Sequence, residues 1–357
     1  MSAHGSGALS HRVLLRLQRG EDLDPELARE VARGFLDGSF PPATMRDLLV
    51  ELARKGESEE EVYAFASALR ESARPFQGPR AAGAVDLCGT GGAPFPTFNI
   101  STVSSFVVSG AGAPVAKHGN VSGRGPCGSS DLLEALGLPI RSSIAFAEES
   151  WRSERVAFLH APLYHTATRQ VGPVRKEIGG RTVFNLLGPL TNPASVPAQL
   201  VGSYSKEYAR LAVPLLHRLG VRRVLGVHGL GGTDELTSNE KGWLLHGLPE
   251  DPDRGREAQV EPSRFLSKED RSGDLRPRPP GEAARLAVDL LNGGGDGAVR
   301  GSVLLTSGAA LWVQGRAPGL KEGVEMAKAA IQDGTAAGKL HRLQELARSR
   351  PWEKEDP

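Results

Sequence analysis

Apolar positions recur at helical spacing through the first ~75 residues, and the elements they predict are short helices. In LDPELAREVARGFLDGSF, Leu27, Val31 and Phe35 fall at i, i+4 and i+8, one stripe of a 3.6-residue period. Asp24 stands where an N-cap is needed ahead of Pro25, and Gly38 supplies the stop. The next run, PPATMRDLLVELARKGES, opens on prolines, carries Met45, Leu48, Leu49 and Leu52, and ends at Gly56. Ser58 and Glu61 then have capping-box spacing at the head of SEEEVYAFASALRESA. Helices of this length with one apolar face predict an antiparallel bundle.

From about Ala84 the pattern changes. AVDLCGTGG, SSFVVSGAGAPVAKHGN, RRVLGVHGLGGTDEL and SVLLTSGAALWVQG are short apolar runs that end in glycine, and helical patterns such as DLLEALG and KEGVEMAKAAIQDG lie between them. Buried strands alternating with helices predict a mainly parallel sheet covered on both faces. The expected architecture is α/β: a helical bundle domain over 1–78, with helices from about 150–190 packing on it, and a larger sheet domain over 79–357. The Pro/Arg/Asp-rich interval from Glu250 to Pro280 is expected to be a long surface excursion, and no internal repeat is evident.

Charge and cysteine content narrow the function classes. Lys and Arg number 43 against 42 Asp and Glu, a net charge of +1 over 357 residues, so no global field favours nucleic acid or an anionic membrane, and neither is an expected partner. An anionic ligand must be held locally. Two cysteines, Cys88 and Cys127, are too few for a disulfide framework and suit a reducing compartment. No apolar run reaches the ~18 residues of a membrane span. The expectation is a soluble, cytoplasmic protein.

Local anion binding has two candidate loops, both where ligands collect in such sheets, at strand carboxyl ends. In DLCGTGGAPFPTFNIST, Gly89, Gly91 and Gly92 permit positive φ and close backbone approach, while Thr97, Asn99, Ser101 and Thr102 add donors. A helix beginning near Ser101 would aim its N-terminus at a phosphate. In KHGNVSGRGPCGSSD, Lys117 adds a cation to a second concavity made by Gly119, Gly123, Gly125, Gly128, Ser129 and Ser130. Two such loops point to a polyphosphate, which normally arrives with Mg²⁺ bound to one or two carboxylates. Asp234 and Glu235 in GLGGTDELTS offer them; adjacent acids on a loop are also commonly just solvated. Cys127 lies in the second loop with no activating partner beyond Arg124, so a reactive thiol is not expected.

The segments GTGG, TFNIST, VAKHGN, GSSDLLEALG, PVRKEIGGRTVFNLLGPLTNPA, GTDEL and LKEGVEMAKAAIQDGTAAGKL, in that order and at plausible spacing, resemble the anthranilate phosphoribosyltransferase family over nearly the whole chain. That family is related in fold to the pyrimidine nucleoside phosphorylases. The resemblance implies transfer of phosphoribose from phosphoribosyl pyrophosphate (PRPP) to the amino group of anthranilate, in tryptophan biosynthesis, by a homodimer. Carried over by position, it implies that Gly89, Thr90, Gly91, Gly92, Asn99, Ser101, Thr102, Lys117 and Ser129 cradle PRPP. It implies that Ser101, Asp234 and Glu235 hold Mg²⁺. His118, Asn120, His165, Arg175 and Gly188 would line the path of the aromatic acceptor, with Arg175 forking onto its carboxylate. His118 and His165 also have purely structural readings.

An aromatic amine is unprotonated at neutral pH, so the chemistry needs no strong base. Its difficult step is departure of pyrophosphate, and catalysis is expected to rest on Mg²⁺, Lys117 and backbone donors, with Asp234 and Glu235 as the metal's carboxylates.

The chain departs from the family at named places. Ala93-Pro94 stands where the family has Asp-Gly, Pro96 removes another N–H, Val121 stands where it has Arg, and HTAT replaces His-Pro-Ala-Met. A lost charge-assisted contact is worth ~1.5–3 kcal/mol, about one to two decades in binding; Arg124 is the candidate replacement cation. SGRG at Ser122 resembles a phosphate loop of the pyrimidine nucleoside phosphorylases, although Leu87 and Gly89 occupy that family's Lys and Ser positions. The alternatives are therefore a phosphate-dependent phosphorylase, and a relative with a changed acceptor or no catalysis.

Overall fold

The computed structural model describes residues 3–80, 82–91, 93–122, 125–249 and 255–355. They form two compact units, Met1–Pro75 with Tyr164–Pro193, and Phe76–Leu163 with Ala194–Pro357.

The first unit is all helical: Ala3–Gln18, Pro25–Leu36, Pro42–Lys55, Glu59–Ser72 and Val171–Ile178, with one turn at Phe184–Leu187. Its ends are set by the residues that the pattern singled out. Asp24 accepts the Leu27 N–H at 3.0 Å ahead of Pro25, and Ser58 and Glu61 cap each other reciprocally. Glu61 does more than cap. It is fully buried, and its oxygens also take the Leu23 N–H at 3.0 Å and the Lys55 ammonium at 3.0 Å, which is what makes a buried carboxylate tolerable. Phe35, Phe40, Phe65 and Phe184 form the aromatic centre, with ring centroids 5.5 to 6.2 Å apart. Burying each ring contributes about 1.5–3 kcal/mol.

The second unit is built on a seven-stranded sheet: β1 (Val85–Asp86), β2 (Val115–Gly119), β3 (Val156–His160), β4 (Ala198–Gly202), β5 (Arg223–Gly229), β6 (Gly242–Gly247) and β7 (Glu257–Val260). Their order is β3-β2-β1-β4-β5-β6-β7. β1 to β5 pair in parallel, and β6 and β7 extend the edge antiparallel. Strand order reverses between β1 and β4, so the loops leaving their carboxyl ends diverge and open a crevice there. β2 to β4 are buried along nearly every position, as the short continuous apolar runs require when helices cover both faces.

Three segments differ from the pattern-based expectation. SSFVVSG lies in the helix Ile100–Gly110, and SVLLTSGAALWVQG lies in the helix Gly297–Gln314. The latter is buried on almost every side, so it shows no polar face, and an all-apolar run cannot be assigned to helix or strand by periodicity. The interval from 250 to 280 is more than an excursion. Its first residues, 250–254, lie outside the described residues, but Glu257–Val260 adds β7 to the sheet, and the Leu275 carbonyl accepts the Phe98 N–H at 2.8 Å.

A candidate phosphate and metal site at the strand ends

The crevice begins where β1 and β4 end. Gly89 continues β1 and bridges Gly202 in parallel, and the Thr90 N–H donates to the Gly202 carbonyl at 3.1 Å. Gly91 then turns the chain with φ +60°, a left-handed conformation that glycine adopts without steric cost. Asp234, on the loop after β5, closes this turn: it accepts the Gly91 N–H at 2.8 Å and the Thr90 hydroxyl at 3.1 Å. A Cβ at Gly202 would strike the Asp234 carbonyl, and one at Gly89 would crowd its carboxylate. Two glycines on neighbouring strands thus let the acidic loop lie across them.

Glu235 faces the other way, onto the start of the helix Ile100–Gly110. Its Oε1 accepts the Ser101 N–H at 3.3 Å. Its Oε2 is shut from solvent and has no partner among the described residues. Burial, and then the neighbouring Asp234 charge, push this carboxyl up to about 8, so it holds a proton at neutral pH when no cation is near. A buried carboxylate oxygen without a partner, beside a second carboxylate and a serine, is an all-oxygen donor set that suits a hard cation. No cluster of three or more His, Cys, Asp or Glu is gathered among the described residues. That is compatible with Mg²⁺, which takes one or two carboxylates and completes its shell with water and phosphate.

Lys117, on β2, is buried, and its ammonium donates to the Leu87 carbonyl at 3.1 Å. No salt bridge to it occurs among the described residues, so its charge is neutralised by no adjacent carboxylate there. The next residue, His118, is also buried; its backbone N–H donates to the fully buried Asp86 at 3.1 Å. Asn99 links the two loops, its Nδ2 donating to the Cys127 carbonyl at 3.0 Å. Thr102 is fully buried, and its hydroxyl has no partner among the described residues. In the second loop Ser129 Oγ accepts the Asn120 N–H at 3.1 Å and donates to the Asn120 carbonyl at 3.0 Å. Gly92 and Arg124 lie outside the described residues. Both thiols are poor nucleophiles: burial raises Cys88 to about 12 and Cys127 to about 11.

His165, Arg175 and Gly188 belong to the first unit. His165 is buried, which lowers its imidazole to about 4, and it meets the backbone at Thr191 and Leu69. The ring is neutral at physiological pH. Arg175 sits over the Phe184 ring at 5.5 Å and has no carboxylate partner among the described residues; burial alone lowers its guanidinium. Gly188 opens a short 3₁₀ turn, and a side chain there would enter open space.

Several structural supports had no signal in the local pattern. Asp86 and Gly202 act through contacts between distant segments. Asp131 could have been found, because Gly-Ser-Ser-Asp has the spacing of an acid three residues into a helix; its Oδ2 accepts the Gly128 N–H at 2.8 Å and the Ser122 N–H at 3.1 Å. A separate cleft of about 530 Å³ opens beside the acidic loop, lined by Phe95, Thr97, Thr233, Thr237, Glu240 and Arg276 among others. Neither Lys117, Asp234 nor Glu235 lines it.

Residues 81–337 match the a/b domain of a glycosyl transferase family, and residues 11–73 match the helical bundle domain of that family. The class is therefore the glycosyl transferases that carry a helical bundle ahead of an α/β domain. Among the relatives, the anthranilate phosphoribosyltransferase of Pelotomaculum thermopropionicum is 40% identical over 334 residues, covering 94% of this chain and 95% of that protein. The crystal structure of anthranilate phosphoribosyltransferase from Thermus thermophilus matches with a TM-score of 0.85 at 37% identity, over 94% of this chain and 99% of that one. This chain belongs to the anthranilate phosphoribosyltransferase family. The Saccharomyces cerevisiae enzyme in complex with PRPP and Mg, at 24% identity, has the same fold with a TM-score of 0.82, over 96% of this chain and 99% of that one.

Proposed function

We propose that this chain transfers the phosphoribosyl group of PRPP to the amino group of anthranilate and releases pyrophosphate, a step of tryptophan biosynthesis. The observation that carries the reading is the acidic pair: Asp234 holds the Gly89–Gly91 turn while Glu235 holds Ser101, and one Glu235 oxygen is left buried without a partner among the described residues. Ser101, Asp234 and Glu235 would hold Mg²⁺, and the ion would neutralise charge on the departing pyrophosphate. Gly89, Thr90, Gly91, Gly92, Asn99, Ser101, Thr102 and Ser129 form the cradle, and the Lys117 ammonium stabilises the leaving group's phosphates. His118, Asn120, His165, Arg175 and Gly188 line the acceptor's path. Arg175, stacked on Phe184 and unpaired with any carboxylate among the described residues, is the fork for the anthranilate carboxylate. His165, neutral and buried, contacts the acceptor without moving a proton.

The chain is further proposed to work in the cytoplasm as a homodimer. Support for the second copy is the apolar surface left on the helical unit, where Leu15 and Val50 are exposed on helices that pack together; sedimentation at micromolar concentration reads it. No helix among the described residues is long and apolar enough to cross a membrane.

With Mg²⁺, PRPP and anthranilate, the purified protein is expected to consume anthranilate fluorescence. No loss at millimolar PRPP, or phosphate-dependent release of base from uridine or thymidine, would overturn the assignment.

A further inference from the structure

Beneath the second loop lies a narrow slot with about 10 Å³ of free space, lined by Lys117, Gly119, Ser129, Ser130 and His160 over an apolar floor. That is room for one water-sized group, and hence for a single phosphoryl oxygen. Lys117 comes from the middle of β2, Gly119 and His160 from the ends of β2 and β3, where they are register partners, and the two serines open the helix that follows the loop. His160 and Ser130 are buried, with 4% and 1% of their surface exposed.

The imidazole is held in one tautomer. Ser130 Oγ lies 2.9 Å from His160 Nδ1, and no other partner of this hydroxyl occurs among the described residues. A buried hydroxyl proton with one acceptor in reach goes to that acceptor, so Nδ1 is unprotonated and Nε2 carries the hydrogen. Nε2 itself has no partner among the described residues, which leaves the ring that lines the slot with one uncommitted donor.

We propose that His160 is a further substrate-binding residue, whose Nε2–H joins the Lys117 ammonium at one phosphoryl oxygen of the substrate, with Ser130 as the positioning residue that sets its tautomer. The inference rests on the reading of Lys117 as a phosphate ligand given above. A neutral donor supplements Lys117 without setting two cations side by side. The ring's environment keeps it neutral: burial first, then the Arg141 charge, lower it to about 4, against an opposing pull from Asp131. Lys117, Asp131 and Arg141 are the charged groups that face it. An anion arriving in the slot favours the protonated ring, so binding should draw a proton onto His160 as pH falls toward 5.

Calorimetry with PRPP and Mg²⁺, ribose 5-phosphate, and pyrophosphate tests the proposal on wild-type protein, His160→Phe and Ser130→Ala. His160→Phe is expected to weaken PRPP binding about tenfold or more and to abolish the extra proton uptake seen near pH 5 in buffers of different ionisation enthalpy. Ser130→Ala, which leaves the ring in place but frees its tautomer, should give a smaller loss. The loss should appear with ribose 5-phosphate or with pyrophosphate, and whichever shows it locates the phosphoryl group. If wild type binds PRPP and both folded variants match it in affinity and proton uptake, the proposal is overturned while the transferase reading stands. If wild type binds none of the three ligands, both fall. Should His160→Phe not fold, Ser130→Ala decides by the same readings.

Discussion

Both glycine loops are closed by a carboxylate that accepts backbone N–H groups, but the carboxylates come from different places. In the second loop Asp131 is local, three residues from Gly128 and nine from Ser122. In the first, Asp234 reaches Gly91 and Thr90 from 143 and 144 residues away. The second loop is thus set by its own sequence before any ligand arrives. The first shares its fastening with the candidate metal site, so a cation that draws on Asp234 competes with the Gly91 N–H and the Thr90 hydroxyl. Loop shape and metal occupancy are then linked, because a ligand shifts a conformational balance by its differential affinity for the two states.

Asp234→Asn breaks this contrast hardest. It removes one carboxylate of the candidate metal site and a charge-assisted pair of hydrogen bonds, and Mg²⁺-dependent PRPP affinity is expected to fall about 100-fold or more. Asp131→Asn removes the same kind of bonds from the second loop, yet should cost about 1–3 kcal/mol of stability while the Mg²⁺ dependence of binding persists. Titrations at several Mg²⁺ concentrations, with melts of both variants, read the difference. Equal loss of Mg²⁺ dependence in the two would erase the distinction.

Glu235 sharpens the comparison through pH. Its folded-state value of about 8 lies above the ordinary 4.5, so the folded state binds this proton more tightly than the unfolded chain does. The resulting stability is full below about pH 4.5 and is lost as pH rises through 8. The ligand-free protein should therefore melt progressively lower between about pH 5 and 8, and Glu235→Gln should flatten that part of the profile. A metal needs the deprotonated carboxylate, so Mg²⁺ with PRPP should release close to one proton from Glu235 at pH 7 and almost none at pH 9. Glu235→Gln should bind PRPP about tenfold more weakly without that release. A pH-independent wild-type melt would refute the buried proton.

The same division between local and distant partners decides what could be read before the fold was seen. Asp24 and the Ser58–Glu61 pair were legible because a helix end is satisfied within three residues of itself. The glycines of both loops were legible too, since a left-handed turn or a close approach leaves a mark on the residue that makes it. The acidic pair was legible as a candidate, but its attachment to Thr90, Gly91 and Ser101 was not, because nothing in a local pattern encodes which segment a loop will meet. Burial on all sides erased the helical period of Gly297–Gln314. The polar composition near 257–260 concealed an edge strand whose exposed positions need no apolar residues. His160 was missed for the first of these reasons: its partner Ser130 is 30 residues away.

The smallest expected effects separate two uses of glycine, one in each loop. Gly128 has an ordinary φ of −87°, but a Cβ there would run into the backbone at Val121 and Ser122. Alanine at 128 should thus cost about 1–3 kcal/mol through forced backbone shifts, and the larger asparagine should cost more. Gly91 has the opposite problem. Its φ is +60° with open space where a Cβ would stand, so only the left-handed conformation is penalised. Gly91→Ala should cost about 1–2 kcal/mol, while Gly91→Asn should cost less, because asparagine visits that region more readily. The order of alanine and asparagine therefore inverts between the two loops in denaturant melts. The same order at both positions would mean that one of these glycines is kept for the other's reason.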